Sequence, residues 1–180
     1  MSRRMTLEAY LTGEETMRPQ ELAYGVLREP PAPGFHHQIV VGRIHSRLER
    51  HVDRFKAGRV VLSPIDVILD RERALVVQPD IVFISTARLG ICTDRIWGAP
   101  DLAIEVLSKS NRRHDCTVKV KWYRQYGVRE CWLVDPRSCR IEVVDLTGPK
   151  DASHAFAGRQ IVRSAVLPSL RLRPAAVLDD

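Results

Sequence analysis

The spacing of apolar residues changes period along this chain. Between residues 36 and 52, Val41, Ile44, Leu48 and Val52 recur at helical spacing with Arg43, Arg47, Glu49 and Arg50 between them. That pattern predicts an amphipathic helix resting on a core. Two β-branched runs follow, RVVLSPIDVIL (59–69) and LVVQPDIVFIS (75–85), separated by the charged tetrapeptide DRER. They predict a hairpin. DLAIEVLS (101–108) predicts a strand that places Leu102, Ile104 and Val106 on one face and Ala103, Glu105 and Leu107 on the other. Both faces look destined for burial, as in a central strand covered on each side. Residues 113–126 predict a helix, ECWLVD (130–135) a strand stopped by Pro136, and CRIEVVDL and GRQIVRS two further strands at one edge. At the N-terminus, residues 6–24 read as helix, turn, helix, broken at residues 12–13 and at Pro19, and REPPAPG (28–34) is a proline-rich loop. This order predicts an α/β or α+β sandwich around a mixed sheet.

Composition narrows the class. At 180 residues, with 44% hydrophobic and 28% charged, the chain has the balance of a globular protein and suits one domain. That domain divides into an N-terminal helical and loop part (1–35), a core (36–136), and edge strands with a C-terminal tail (137–180). No apolar run approaches the ~20 residues that span a bilayer. The start, MSRRMTLEAYLTGEE, turns acidic after two basic residues and is not patterned as a signal peptide. The expectation is a cytoplasmic protein without membrane association. Cys92, Cys116, Cys131 and Cys139 form no CxxC pair, which argues against a zinc site or a disulfide framework. A net charge of +6 permits an acidic partner such as nucleic acid without requiring one.

Glu105 then poses a question, because an unpaired carboxylate in a covered strand costs several kcal/mol or protonates. The preceding strand contains Gln78-Pro79-Asp80, and proline marks a place where a strand bends or ends. If the two strands are neighbours, Asp80 and Glu105 can converge. Two converging acids need a proton or a cation between them, and Mg²⁺ prefers such oxygen ligands. The other reading leaves Asp80 an exposed turn acid and pairs Glu105 with a local base. Plotted at about 100° per residue, residues 113–126 place Val118, Trp122, Tyr123 and Tyr126 on the core side. Lys119 falls inside that aromatic arc. It either pairs with Asp115 at i,i+4 or points its ammonium toward Glu105. A lysine beside metal-bound carboxylates suits phosphodiester hydrolysis, in which an ion activates water and a cation stabilises transition-state charge.

PD at 79–80, GAPDLAIEVLSKSNRRHD, Lys119, Tyr123 and GVRECWLVDP (127–136) together resemble the Uma-type putative restriction endonucleases, a large bacterial family of the PD-(D/E)XK nuclease superfamily. TLEAYL, ELAYG, SPIDVIL and VLPSLRLRPA extend the resemblance over most of the chain. It implies a restriction-endonuclease-like α/β core, a mixed sheet flanked by helices, with a Mg²⁺-dependent site at which Mn²⁺ could substitute. Asp80 matches the superfamily's metal-binding Asp and Glu105 the acidic member of (D/E)XK. Leu107 stands where that motif has lysine, and Lys119 matches the position to which this family has moved it. Glu21, in ELAYG, matches an acid that the superfamily places on its first core helix.

The resulting expectation is an endonuclease hydrolysing DNA, with Asp80, Glu105, Lys119 and Glu21 as catalytic residues. Asp80, Glu105 and the backbone carbonyl of Val106 would hold the metal. Lys109, Arg112 and Arg113 follow the catalytic strand and would contact phosphates. The rival is a nucleic-acid-binding or structural module that keeps the fold without turnover. Trp97, Trp122 and Trp132 read as core residues, the six histidines form no metal-ligand spacing, and the closing pair of edge strands with the exposed apolar tail VLPSLRL could support a homodimer.

Overall fold

The computed structural model describes residues 4–13, 18–108, 114–148 and 152–179. The DLAIEVLS run forms β8 (Leu102–Val106), and all of its side chains are buried. It lies inside a six-stranded sheet with β3 (Gly58–Leu62), β6 (Ile81–Ser85), β9 (Glu130–Asp135), β10 (Arg140–Asp145) and β11 (Ser153–Ala157). The strand order is β11-β10-β9-β8-β6-β3. β8 is parallel to β9 and antiparallel to β6, so the sheet is mixed. A parallel pair needs a crossover, and the chain makes it through a π-helical turn (His114–Lys119) and α3 (Val120–Tyr126). A second sheet has the order β2-β1-β5-β4-β7. Its strands are β1 (Glu21–Ala23), β2 (Val26–Arg28), β4 (Val67–Asp70), β5 (Leu75–Val77) and β7 (Ile96–Trp97).

Both faces of the central sheet are covered. The predicted amphipathic helix is α2 (Phe35–Phe55), and it buries Val40, Val41, Ile44, Leu48 and Val52. These pack with Ile81, Phe83, Leu102, Ile104 and Val106 on one face. On the other face Val82, Ile84, Ala103 and Leu107 meet Val77 and Leu75 of the second sheet and Tyr123 of α3. Each such aliphatic side chain contributes about 1.5–3 kcal/mol when fully buried. The second sheet's far side closes with Leu22, Ile68 and Val76 under Leu7 and Tyr10 of α1 (Leu7–Leu11). This is the α/β architecture expected, with mixed sheets between helices.

The predicted hairpin forms, but it bends from one sheet into the other. Its outer parts pair as β3 and β6, with Leu62 opposite Ile81, and its tip pairs as β4 and β5, with Val67 opposite Val77. The prolines at 64 and 79 stand at the two breaks, where neither strand needs a ladder donor. At the base of β3, Gly58 has φ +155, and a Cβ there would lie 1.9 Å from the Ile84 carbonyl oxygen.

Four expectations are corrected. Glu21 lies on a strand, not a helix, because Tyr24 and Gly25 both take positive φ and close a two-residue hairpin between Ala23 and Val26. The edge strand beside β10 is Ser153–Ala157, not GRQIVRS; Val162 instead donates its N–H to the Leu172 carbonyl at 2.9 Å. The tail is not exposed, since Leu167, Leu170 and Leu172 are buried against the face that α2 covers. The segment ending at Lys119 is wound as a π-turn before α3 begins.

Candidate active site

The site forms where β6 begins and β8 ends. Ile81 pairs with Ile104, so one further step of the antiparallel register brings Asp80 opposite Glu105. Pro79 keeps Asp80 outside the ladder proper, leaving its side chain to turn over the end of the sheet. Its Oδ2 accepts the Val106 N–H at 2.7 Å, and His37 Nε2 of α2 lies 3.3 Å from the same oxygen. The Asp80 carbonyl accepts the Ser63 N–H at 3.0 Å. The acid is thus fixed both by its own backbone and by the main chain next to Glu105.

Glu105 is 2% exposed, Lys119 3% and Glu21 6%, and the three form one cluster. Lys119 Nζ lies 2.7 Å from Glu105 Oε1 and 2.8 Å from Glu21 Oε1. Lys119 ends the π-turn, and Tyr123 follows four residues later on the same side of the helical segment. The Tyr123 hydroxyl donates to the same Glu105 oxygen that Lys119 meets. Burial, and then the negative charge of Glu105, raise the Tyr123 hydroxyl well above its ordinary pKa, so it stays a donor. π-turns concentrate at functional sites, and this one delivers a cation to the end of the central strand.

Glu21 reaches the cluster from β1. Burial pushes its carboxyl up, but the charge and hydrogen bond of Lys119 and the Gln78 N–H, 3.2 Å away, hold it below its ordinary value. Gln78 also donates through Nε2 to Asp66 Oδ1 at 2.9 Å, tying the residue before Pro79-Asp80 into the second sheet. His114 Nε2 stands 3.8 Å from Glu21 Oε2. Burial and the neighbouring Arg28 guanidinium lower His114 to about 4, so at neutral pH this is a contact with an uncharged ring.

The structure therefore brings Glu21, Glu105 and Lys119 into direct contact and sets Asp80 on the amide of Val106. Lys109, Arg112, Arg113 and the Asp115 side chain lie outside the described residues. Leu107 is buried in the core, so the shifted lysine is the cation that reaches the site. Among the described residues, no group of three or more His, Cys, Asp and Glu side chains gathers closely enough to hold a metal. The chemistry of the donors nonetheless suits a hard cation: two carboxylates and a peptide oxygen, from adjoining strands. The sequence reading missed His37, Gln78 and His114. Gln78 carried a signal, as the neighbour of Pro-Asp; the histidines carried none.

Over residues 6–175 the chain matches the family described as Putative restriction endonuclease, Uma2. No curated protein matches it. Its fold is similar to the crystal structure of a putative nuclease belonging to DUF820 from Anabaena variabilis ATCC 29413. The TM-score is 0.82 at 20% sequence identity, with 97% of each chain covered. The solved neighbour shares the fold, and the family match spans nearly the whole sequence: the chain belongs to the Uma2 family of putative restriction endonucleases.

Proposed function

We propose that this protein is a Mg²⁺-dependent endonuclease that hydrolyses phosphodiester bonds in DNA. The reading is carried by one observation, a buried lysine held within 2.8 Å of two carboxylates at the end of the central strand. A structural ion pair needs one acid; this lysine has two, and a third acid, Asp80, accepts the amide N–H of Val106, the residue next to Glu105. Asp80, Glu105 and the Val106 carbonyl would hold the metal, which supplies an activated water and a polarised phosphoryl oxygen when bound. Lys119 holds the attacking water and offsets the charge that builds on the phosphoryl oxygens. Glu21 holds the ammonium in place. Tyr123 orients Glu105, and His37 orients Asp80.

Calorimetric titration of Mn²⁺ into the wild type and into Glu105→Gln, followed by cleavage of plasmid DNA in Mg²⁺ or Mn²⁺, tests this. The expected result is one metal-binding event and metal-dependent nicking, both lost in Glu105→Gln. Neither metal binding nor cleavage by the wild type, with nonspecific DNA present, would overturn the catalytic reading. The cluster would then be a buried ion network in a binding module.

A further inference from the structure

We propose that a second surface, remote from the Lys119 cluster, grips the phosphate backbone of the DNA. It is the groove between the outer side of α2 and the C-terminal segment. Arg43, Arg47, Arg50 and Arg54 recur at i, i+4, i+7 and i+11, which confines them to an arc of about 60° on a helix of 3.6 residues per turn. Arg43 is committed to the Asp179 carbonyl oxygen at 2.6 Å. The other three line a groove of about 900 Å³ together with Arg163 and Arg171. Those two come from the segment in which Val162, Leu170 and Leu172 are buried while the intervening arginines face outward. Glu49 and Asp53 lie on another arc of α2, and among the described residues no acid lines the groove.

Among the described residues, no carboxylate pairs with Arg47, Arg50, Arg54, Arg163 or Arg171 within 4.0 Å. Five arginines that line one groove with no paired carboxylate among the described residues, in a protein of net charge +6, favour an anion between them. The shape and extent of the groove select the anion. Arg47 to Arg54 spans about 10 Å of helix, too long for one phosphate and matched to a polymer with a charge every ~1.7 Å of axis. The cations line an open groove and not a flat face, a shape that suits a polymer backbone better than a bilayer surface. Phe55 stands at the groove 54% exposed, its ring 4.8 Å from the His51 ring, a flat aromatic beside the phosphate path. Arg50 is separated from His37, which touches Asp80, by about 20 Å along α2. The groove therefore holds DNA beyond the scissile bond. The choice of DNA over other polyanions rests on the nuclease reading, whereas the presence of a polyanion site does not.

The test is binding of a short labelled DNA duplex to the full chain in EDTA, by fluorescence anisotropy across a salt series. The wild type is compared with an Arg47→Ala, Arg50→Ala, Arg54→Ala triple variant and with Arg163→Glu on the opposite wall. Circular dichroism melts check that each is folded. The expected result is at least tenfold weaker binding in both variants. The slope of log K against log salt should fall by about 0.9 for each phosphate that the variant no longer neutralises. Because Arg163→Glu alters a different element, the test survives misfolding of the triple variant. Wild-type affinity and slope in a folded variant would overturn the proposal. So would wild-type binding to phosphatidylserine vesicles without binding to duplex. Glu105→Gln separates the two claims. Groove-dependent binding by a wild type that neither binds metal nor cleaves refutes the nuclease reading alone, and cleavage with groove-independent binding refutes this one alone.

Discussion

The Lys119 ammonium and the Glu105 carboxylate meet at 2.7 Å with both side chains almost wholly removed from water. Neither could be buried in this form alone, because an uncompensated charge in the interior costs several kcal/mol. Glu21 meets the same ammonium at 2.8 Å, so removing the cation would leave two buried acids without it.

Lys119→Met should accordingly destabilise the fold by about 3–5 kcal/mol and abolish metal-dependent cleavage. Adding Glu105→Gln to it should recover part of the lost stability, because one of the two stranded charges disappears. Urea denaturation of the two single variants and the double variant measures the coupling. Additive losses would show that the ion pair is not shared as described.

Asp80→Asn should separate chemistry from folding. The amide oxygen of Asn can still accept the Val106 N–H that Asp80 now receives at 2.7 Å, so the melting temperature should move by only a few degrees. The lost charge should lower cleavage by about 10²-fold or more, since a bound cation is worth several kcal/mol to the transition state. A variant that melts much earlier would mean that the carboxylate is structural.

Asp101 gives the fold an acid limit. Its carboxylate accepts the Ser85 N–H at 2.8 Å and lies 3.4 Å from Arg88 and 3.3 Å from Arg129. Burial pushes its pKa up, but the Ser85 hydrogen bonds and the guanidinium charges outweigh this and hold it below the ordinary value of 3.8. As pH falls, the unfolded chain therefore takes up the proton first. The stability that Asp101 contributes is complete above the unfolded pKa and is lost as pH falls through the folded one. Asp101→Asn should destabilise by about 1–3 kcal/mol at neutral pH. The gap between wild type and variant should close below about pH 4, as read from melts at several pH values.

Gly58→Ala should be among the most damaging single-methyl changes in the chain. The added Cβ would fall 1.9 Å from the Ile84 carbonyl oxygen, with a φ of +155 that L-residues rarely adopt. Since the obstacle is the backbone of β6 and not the end of a flexible side chain, relief requires opening the β3–β6 pairing. A loss above about 3 kcal/mol is expected, seen as a lower denaturation midpoint or failure to accumulate folded protein. Gly42→Ala on α2, where an added Cβ meets nothing within 4 Å, is the matched control and should be neutral or slightly stabilising.

The strands that carry the site were legible where burial on both faces left continuous apolar runs, as in β8 and β9. Lys119 was legible because a lysine within an aromatic arc conflicts with its surroundings unless acids meet it. Glu21 was placed on the wrong element: β1 has three residues, too few to show a period, and its turn uses Tyr-Gly where Asn-Gly is the usual signal. β11 carries little apolar patterning because Ser153, His154 and Ala155 are exposed and the strand is held by its backbone. The tail leucines looked exposed because the surface they cover, the α2 side of the central sheet, is assembled from separate strands between Ile81 and Val143 together with α2. His37 could not be found from spacing, since only the packing of α2 across β6 brings it to Asp80.

The hairpin that crosses from one sheet into the other has a consequence for how the protein comes apart. Residues 58–62 and 81–85 belong to the central sheet, and 67–70 and 75–77 to the second. The two layers thus share one pair of strands, a single ribbon folded over at its prolines. A heat or denaturant scan should register one event for both, because the first layer to melt pulls the pairing out of the other. The same crease holds Asp80 in its middle, so the acid should lose its geometry in that single step and not before it.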